Sequence, residues 1–321
     1  MPTRPHLPVR DGIGPTRLRV PTDDTWATVA DYMVAAFTHL DPDEVLRRVD
    51  AGEVYGADGR AIDPGSTPAD HEFVWYYRQL PDEQVLPYRE TILYRDDHLV
   101  VVDKPHFLPT TPTGRYLRET ALVRLRVALD NPHITPVHRL DRPTAGLVMF
   151  TARPDVRGAY QSLFERRAVD KTYEAVSAAP EGWDPTTRSL DGRTLPLVRR
   201  DHLHSPGGPR RTVIRPDLEP NAETVIDVLA HGTSTAGRPV LHTVLRPRTG
   251  RLHQLRVQLA ALGIPILGDR RYPQLLPEAA DDAALPLQLL ARELAFTDPI
   301  SGAKRRFRSE RTLSEVPADS R

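Results

Sequence analysis

The 321-residue chain has no cysteine, which removes disulfide frameworks, cysteine-ligated zinc, iron–sulfur clusters and thiol nucleophiles from consideration. Such a chain suits a reducing compartment, and the cytoplasm is the expected location. Long apolar runs are also missing. The first residues, M-P-T-R-P-H-L-P-V-R, lack the apolar core of a secretory signal, and no stretch approaches the length of a membrane span. We therefore expect a soluble, intracellular protein with no membrane partner. Net charge is absent as well, because 43 basic residues balance 43 acidic ones. A protein that coats nucleic acid by overall charge is thereby excluded. What the chain has in excess is proline: 32 residues, about twice average usage, and they fall between periodic segments rather than inside them. A loop-rich globular protein follows, and its length calls for one large domain with a smaller attachment.

The periodicities divide the chain accordingly. Residues 24–38 carry Trp26, Val29, Met33 and Phe37 at helical spacing. A second helix is expected to begin at D-P-D-E-V-L-R-R-V-D-A-G, with Asp41 as cap, Pro42 in the first turn, Glu44 answering the cap and Gly52 as stop. Short β pieces follow in V-Y-G-A-D-G-R-A-I and E-F-V-W-Y-Y-R. This makes a small α+β module over 1–85. Beyond it, E-T-I-L-Y-R-D-D-H-L-V-V-V-D-K-P reads as strand, turn, strand, and E-T-A-L-V-R-L-R-V-A-L as a helix. A strand, helix and strand occupy 147–178. The Pro-, Gly- and Arg-rich stretch 180–221 is expected to be a functional loop or insertion. Two strands precede T-G-R-L-H-Q-L-R-V-Q-L-A-A-L-G, a helix with Leu252, Leu255, Leu259 and Leu262 as its stripe and Gly263 as its C-cap. The main domain should span 86–310, with a flexible tail over 311–321.

The segment H-R-L-D-R-P-T-A-G at 138–146 places one acid between two arginines, ahead of the apolar run L-V-M-F. Pro143 disfavours the α conformation at Arg142 and Gly146 permits unusual dihedrals, so the segment is a loop feeding a buried strand. Arginines near Asp141 would hold its carboxylate ionised. That suits a nucleophile better than a general acid, though the residues taken alone favour a structural ion pair anchoring the loop. Tyr173, in K-T-Y-E-A-V, is a half-buried strand tyrosine or a platform for a nucleobase. In the last helix His253 and Arg256 stand three residues apart, on one face. A buried carboxylate would explain Arg256 best. His253 has no second ligand at metal-binding spacing, so no metal site is expected. Five arginines and no acid lie between Arg238 and Arg256, and Arg199, Arg200, Arg210, Arg211 and Arg215 cluster upstream. Two basic clusters flanking one site point to an anionic partner. A protein-kinase reading of His-Arg and Asp fails for want of a D-F-G and a glycine-rich loop.

Taken in order, H-L-V-V-V-D-K-P, H-R-L-D-R-P-T-A-G-L, K-T-Y-E-A-V, P-N-A-E-T and P-R-T-G-R-L-H-Q-L-R-V-Q-L-A-A-L-G-I-P-I-L-G-D-R-R-Y resemble the motifs of the RluA-type pseudouridine synthases, over roughly residues 90–300. The resemblance implies a pseudouridine synthase fold, α+β, with a mixed, largely antiparallel central sheet flanked by helices and loops. It implies an isomerase acting on specific uridines of ribosomal or transfer RNA, with structured RNA as partner and no cofactor; we expect a monomer. By the same resemblance Asp141 is the catalytic aspartate, Tyr173 packs on the base and is a candidate for removing its proton, and Arg256 pairs with the carboxylate. Arg139 helps displace the flipped nucleotide and Leu255 lines the base pocket. His138, Arg248, Arg251 and His253, within the matching motifs, are further candidates for substrate contact. Two departures stand out: Phe107 where glycine is usual after K-P, and Gln258 where histidine is frequent. The N-terminal module resembles a diverged RNA-binding module, made less basic by Asp41, Asp43, Glu44, Asp50 and Glu53.

A single carboxylate fits such an isomerase. Hydrolytic glycosidases use two, one for the leaving group and one for water or the sugar. A reaction that turns the base and rejoins it needs no water. Two competing readings remain open on the sequence: a nucleoside or glycoside hydrolase using Asp141 with Asp269, and an RNA-binding protein that keeps the pocket without turnover.

Overall fold

In the computed structural model, residues 7–22, 25–78, 83–206, 211–277 and 280–317 are described. The chain divides into two compact units, Met1–Glu83 and Gln84–Arg321. The first unit holds strands β1 (Thr16–Arg19), β2 (Val54–Tyr55) and β3 (Phe73–Tyr76) in the order β1, β3, β2, with helices α1 (Val29–Ala36) and α2 (Pro42–Asp50). Helix α1 starts later than its apolar spacing predicts because Thr28 closes a capping box with Asp31, fixing the first turn at Val29. The cap of α2 is simpler than expected: Asp41 accepts from the Asp43 amide, and Glu44 does not answer it. Val29, Met33, Val45, Val49, Val54 and Val74 form the shared core of the two helices and the sheet.

The second unit is built on β4 (Thr91–Arg95), β5 (Leu99–Lys104), α3 (Ala121–Ala128), β6 (Thr135–Pro136), β7 (Ala145–Thr151), α4 (Arg157–Glu165) and β8 (Val169–Ala178). These are followed by β9 (Ser189–Leu190), β10 (Arg193–Thr194), β11 (Leu197–Asp201), β12 (Leu203–His204), β13 (Val213–Ile214), β14 (Ala222–Thr233), β15 (Pro239–Pro247), α5 (Gln254–Ala261), β16 (Leu289–Thr297) and β17 (Lys304–Arg308). The main sheet runs β11, β14, β15, β8, β16, β7, β5, β4, with β17 on β16 and β6 on β7. Its pairings are antiparallel except where Leu290 and Ala291 of β16 meet Ala145 and Gly146 of β7 in parallel, so the sheet is mixed and largely antiparallel, as anticipated. At that seam Gly146 has φ +111°, and a Cβ there would lie 2.3 Å from the Ala291 carbonyl oxygen. Only glycine admits so close a backbone approach.

Alternate residues of each strand feed opposite faces. On one face Val100, Val102 and Phe150 pack with α3, while Ile226, Leu241 and Leu245 pack with Leu255 and Leu259 of α5; Tyr173 stands against both clusters. On the other, Leu99, Val101 and Met149 meet Tyr160 and Leu163 of α4.

Two expectations are corrected. The stretch 180–221 is not merely a loop: β11 pairs with β14 as a strand of the main sheet, and β9/β10 and β12/β13 form small hairpins. Its prolines and glycines lie between these pieces, which are too short for periodicity to reveal. Nor is the chain end loose over 311–317. Leu313 and Glu315 are buried, Glu315 accepts from the Thr235 amide at 3.0 Å, and its own amide donates to Gln288 Oε1 at 3.1 Å. Its polar residues suggested solvent, but they satisfy buried groups of the sheet; residues 318–321 lie outside the described ones.

Candidate active site

The loop H-R-L-D-R-P-T-A-G enters β7 at the parallel seam, and the preceding strand grips its backbone. The Thr110 hydroxyl donates to the Leu140 carbonyl at 3.0 Å and accepts from the Leu140 amide at 3.2 Å. Lys104 Nζ donates to the carbonyls of Leu108 at 2.8 Å, Pro105 at 3.0 Å and Arg142 at 3.3 Å. His106 Nδ1 is 2.7 Å from the Pro143 carbonyl, to which it donates, and the Thr144 amide closes a turn onto the Asp141 carbonyl at 3.0 Å. Burial lowers Lys104 to about 7, against the opposing pull of the Asp141 charge. Burial lowers His106 to about 4 in spite of its bond to Pro143. Phe107, standing where the family resemblance expects glycine, has φ +65°. That left-handed backbone explains the glycine and costs a phenylalanine roughly 1–2 kcal/mol, offset by packing on Tyr88 at 5.4 Å between ring centroids.

Asp141 is thus presented on a clamped turn. Its Oδ2 accepts from Arg256 Nη1 at 3.1 Å. Arg256 is buried, and its remaining edge forks onto Asp269, with Nε to Oδ2 at 2.8 Å and Nη2 to Oδ1 at 2.6 Å. Burial opposes the guanidinium charge, but the hydrogen bonds and charges of Asp269 and Asp141 outweigh it and hold Arg256 above its ordinary value. Asp269 also accepts from the amides of Arg271 and Tyr272. Both of its oxygens thus accept from N–H donors of Arg256 and the following turn, so Asp269 is engaged in positioning the arginine, a use at odds with the second acid that the hydrolase reading requires.

Helix α5 begins at Gln254, one residue later than a shared helical face for His253 and Arg256 demands; His253 itself is left-handed, with φ +54°. The two side chains still converge, because His253 Nε2 reaches within 3.7 Å of Asp141 Oδ2 while Nδ1 lies 3.1 Å from the Tyr272 hydroxyl. Burial lowers His253 to about 4, although Asp141 pulls it up. At neutral pH it is an uncharged neighbour of the carboxylate. Leu252, the first member of the expected stripe, is exposed at 37 %, whereas Leu255 is buried in the cluster on which Tyr173 packs. Burial, and then the Asp141 charge, push the Tyr173 phenol above its ordinary value.

A line of buried amides holds α5 and the preceding turn in place. Gln258 Nε2 donates to Asp201 at 2.8 Å and its Oε1 accepts from Thr224 at 2.6 Å. Gln254 Nε2 donates to Thr224 Oγ1 at 2.9 Å, and its Oε1 accepts from Thr249 at 2.8 Å and from the Arg251 amide at 3.1 Å.

Other expected residues fall outside this convergence. His138 accepts from the Met149 amide at 3.2 Å and stacks on Phe164 with centroids 4.6 Å apart, so it packs the loop against α4. The side chains of Arg139 and Arg251 are exposed and make no side-chain hydrogen bond or ion pair among the described residues. Arg248 is exposed and pairs with Glu223 at 3.3 Å. Of the upstream cluster, Arg210 lies outside the described residues, Arg199 and Arg200 pair with Asp201 and Glu223, and Arg215 pairs with Asp217. Conversely, Lys104, His106 and Thr110 were not singled out in the sequence. Their one signal was a lysine ending an otherwise apolar V-V-V-D-K-P strand.

Residues 98–261 match the RNA pseudouridylate synthase family. The chain is 34 % identical over 228 residues to the dual-specificity RNA pseudouridine synthase RluA of Salmonella typhimurium, covering 71 % of this chain and 93 % of that one. It is 35 % identical over 219 residues to the enzyme of the same name from Escherichia coli K12, covering 68 % and 91 %. Among solved structures, human RNA pseudouridylate synthase domain containing 1 superimposes with a TM-score of 0.54 at 24 % identity, over 71 % of this chain and 86 % of that one, a likeness of fold. The matched span contains the clamped loop, Tyr173 and Arg256, and the chain belongs to the RluA-type RNA pseudouridine synthases, which are isomerases.

Proposed function

We propose that this RNA pseudouridine synthase acts as a cytoplasmic monomer on specific uridines of ribosomal or transfer RNA, through Asp141 and a flipped target nucleotide. The observation that carries the reading is the Asp141 carboxylate, held through Oδ2 by Arg256, with no hydrogen bond at Oδ1 among the described residues. The relatives named above are dual-specificity enzymes by name, which favours ribosomal and transfer RNA as the two classes to test.

The chemistry runs as follows. Oδ1 of Asp141 attacks C1′ of the ribose as the N1–C1′ bond breaks, the electron pair leaving on the uracil. The base turns within the pocket, C5 attacks C1′, and the carboxylate departs. Loss of the C5 proton and gain of one at N1 complete pseudouridine without change of mass. Arg256 donates to the carboxylate and aims it. Tyr173 serves as the stacking surface, worth about 1–3 kcal/mol per base. Its raised phenol is poor as a base, so the freed Asp141 carboxylate is the better acceptor for the C5 proton. Arg139, exposed on the loop, fills the space the nucleotide leaves; flipping costs a few kcal/mol, which phosphate contacts from Arg248 and Arg251 offset.

Mapping pseudouridines in ribosomal and transfer RNA of the host, with and without the gene, tests the proposal. Sites lost on deletion should return with the wild-type chain and not with Asp141→Asn. Return of those sites with Asp141→Asn would remove the aspartate from its role.

A further inference from the structure

Arg142 follows the proposed nucleophile and has no part in the chemistry above. Its carbonyl is fixed by Lys104. Its guanidinium lies 4.7 Å from the centre of the Tyr116 ring and 5.9 Å from that of Phe107. Nη2 donates to the Tyr116 hydroxyl at 2.9 Å and to Asp281. Nε is buried without a hydrogen-bond partner. A cation is therefore held against two aromatic rings, one residue from Asp141, with donor capacity unused.

Its acidic partner comes from a segment of another kind. Residues 280–284 belong to no helix or strand. The turn in which the amides of Ala284 and Leu285 donate to Asp282 is internal to the segment's end. Among the described residues, the pair with Arg142 is the one hydrogen bond or ion pair joining 280–284 to a distant part of the chain. Both side chains keep solvent access, 26 % and 20 %, so the pair is weak and exchangeable. Arg256, by contrast, is committed to two carboxylates.

A phosphodiester offers a guanidinium the same two-oxygen edge as a carboxylate. A nucleotide whose C1′ reaches Asp141 carries its own phosphates within a residue or two of that contact, alongside Arg142. We propose that Arg142 contacts the phosphate flanking the target nucleotide and that Asp281 competes for it, so that RNA binding exchanges one anion for the other and frees residues 280–284 from the catalytic loop. The inference rests on Asp141 receiving the target, as proposed above.

The test compares Asp281→Asn, Arg142→Gln and the double variant. KM and kcat are measured on unmodified transcripts that carry the mapped sites, and binding to poly-uridylate is measured across a salt series. Asp281→Asn should lower KM and tighten poly-uridylate binding about two- to fivefold. Arg142→Gln should weaken both about tenfold or more and flatten the dependence of log Kd on log salt by about 0.7, one phosphate contact on a single strand. In the Arg142→Gln background, Asp281→Asn should change nothing. A purely structural clasp predicts the opposite sign, with Asp281→Asn weakening binding or leaving it unchanged, and either result overturns the proposal. Binding is read without turnover, so a wild-type protein inactive on the transcripts would count against the substrate assignment, and the poly-uridylate series would still decide the role of Arg142.

Discussion

Asp141 and Glu174 each pair with an arginine that has little solvent access, on opposite sides of the sheet strand that carries Tyr173, and only one of them keeps an oxygen free of hydrogen bonds among the described residues. Glu174 is saturated: Oε1 accepts from Arg292 Nε at 2.8 Å, and Oε2 accepts from Arg292 Nη2 at 2.9 Å and lies 3.2 Å from His242 Nε2. Arg292 Nη1 donates to the carbonyls of Ser309 and Arg311. Burial would raise Glu174, but the hydrogen bonds from His242 and Arg292 overcome it and hold the carboxyl at about 2. Asp141 takes a single guanidinium contact, its side chain is 26 % exposed against 11 % for Glu174, and the excess charge of its arginine is absorbed by Asp269. An arginine partner is common to both. What distinguishes the proposed nucleophile is an oxygen left open.

Exchanging the charge at each site should separate the two roles. Asp141→Asn should lower kcat more than about a thousandfold, as loss of a covalent nucleophile does, with Tm near wild type. Glu174→Gln should leave Arg292 an uncompensated buried charge and cost about 3 kcal/mol of stability, a Tm decrease of roughly 10 °C. Turnover by the folded Glu174→Gln fraction should stay near wild type. Calorimetry and single-turnover assays on both variants read the contrast, and a Glu174→Gln protein that is stable but inactive would erase it.

A smaller loss is expected at the residue that orients the partner of Asp141. Asp269→Asn removes half of the fork on Arg256, and a misplacement on the ångström scale is worth about a hundredfold in kcat. KM should change little, because Asp269 faces the arginine rather than the RNA. At Tyr173, substitution by Phe keeps the stacking surface and should hold kcat/KM within about tenfold of wild type, whereas Ala should lose about 1–3 kcal/mol of it. Equal losses for Phe and Ala would restore the phenol oxygen as an essential group.

The smallest effect concerns pH and the clamp. His106 and His253 are both held at about 4 in the folded chain, while the unfolded chain titrates them near 6.5. Between these values the unfolded state binds more protons, so stability is fully present above about pH 6.5 and falls as the pH drops towards 4. His106→Asn retains a donor for the Pro143 carbonyl and should flatten that slope in thermal melts taken from pH 7 to pH 4.

Much of the fold was readable because it is written in local patterns. Alternating or continuous apolar runs marked β5, β7, β8, β14 and β15, the Asp-Asp turn joined β4 to β5, and Gly263 ended α5 with φ +75°. Illegible were pieces of two residues, such as β9 and β12, and a polar chain end whose partners are distant in sequence. Within the site, Asp141, Tyr173 and Arg256 stood out by motif. Thr110, Lys104 and His106 did not, because their contacts are to backbone carbonyls and leave no trace in residue type. The placement of His138 followed from packing against Phe164, on a helix whose position the loop's own residues do not specify.

By itself the sequence determined the chemistry on offer: one aspartate in a proline-stiffened loop, no thiol, a tyrosine on a strand and a basic residue on a late helix. Short-range sterics and side-chain periodicity are enough for that. Only the tertiary structure decided which of these groups meet. Arg256 lies on Asp141 because α5 packs on the sheet face that ends at the parallel seam, Asp269 is a charge partner rather than a second acid because the same arginine holds it, and Arg142 answers to Asp281. Contacts between residues more than a hundred positions apart depend on how the sheet closes, a property of all its strands at once.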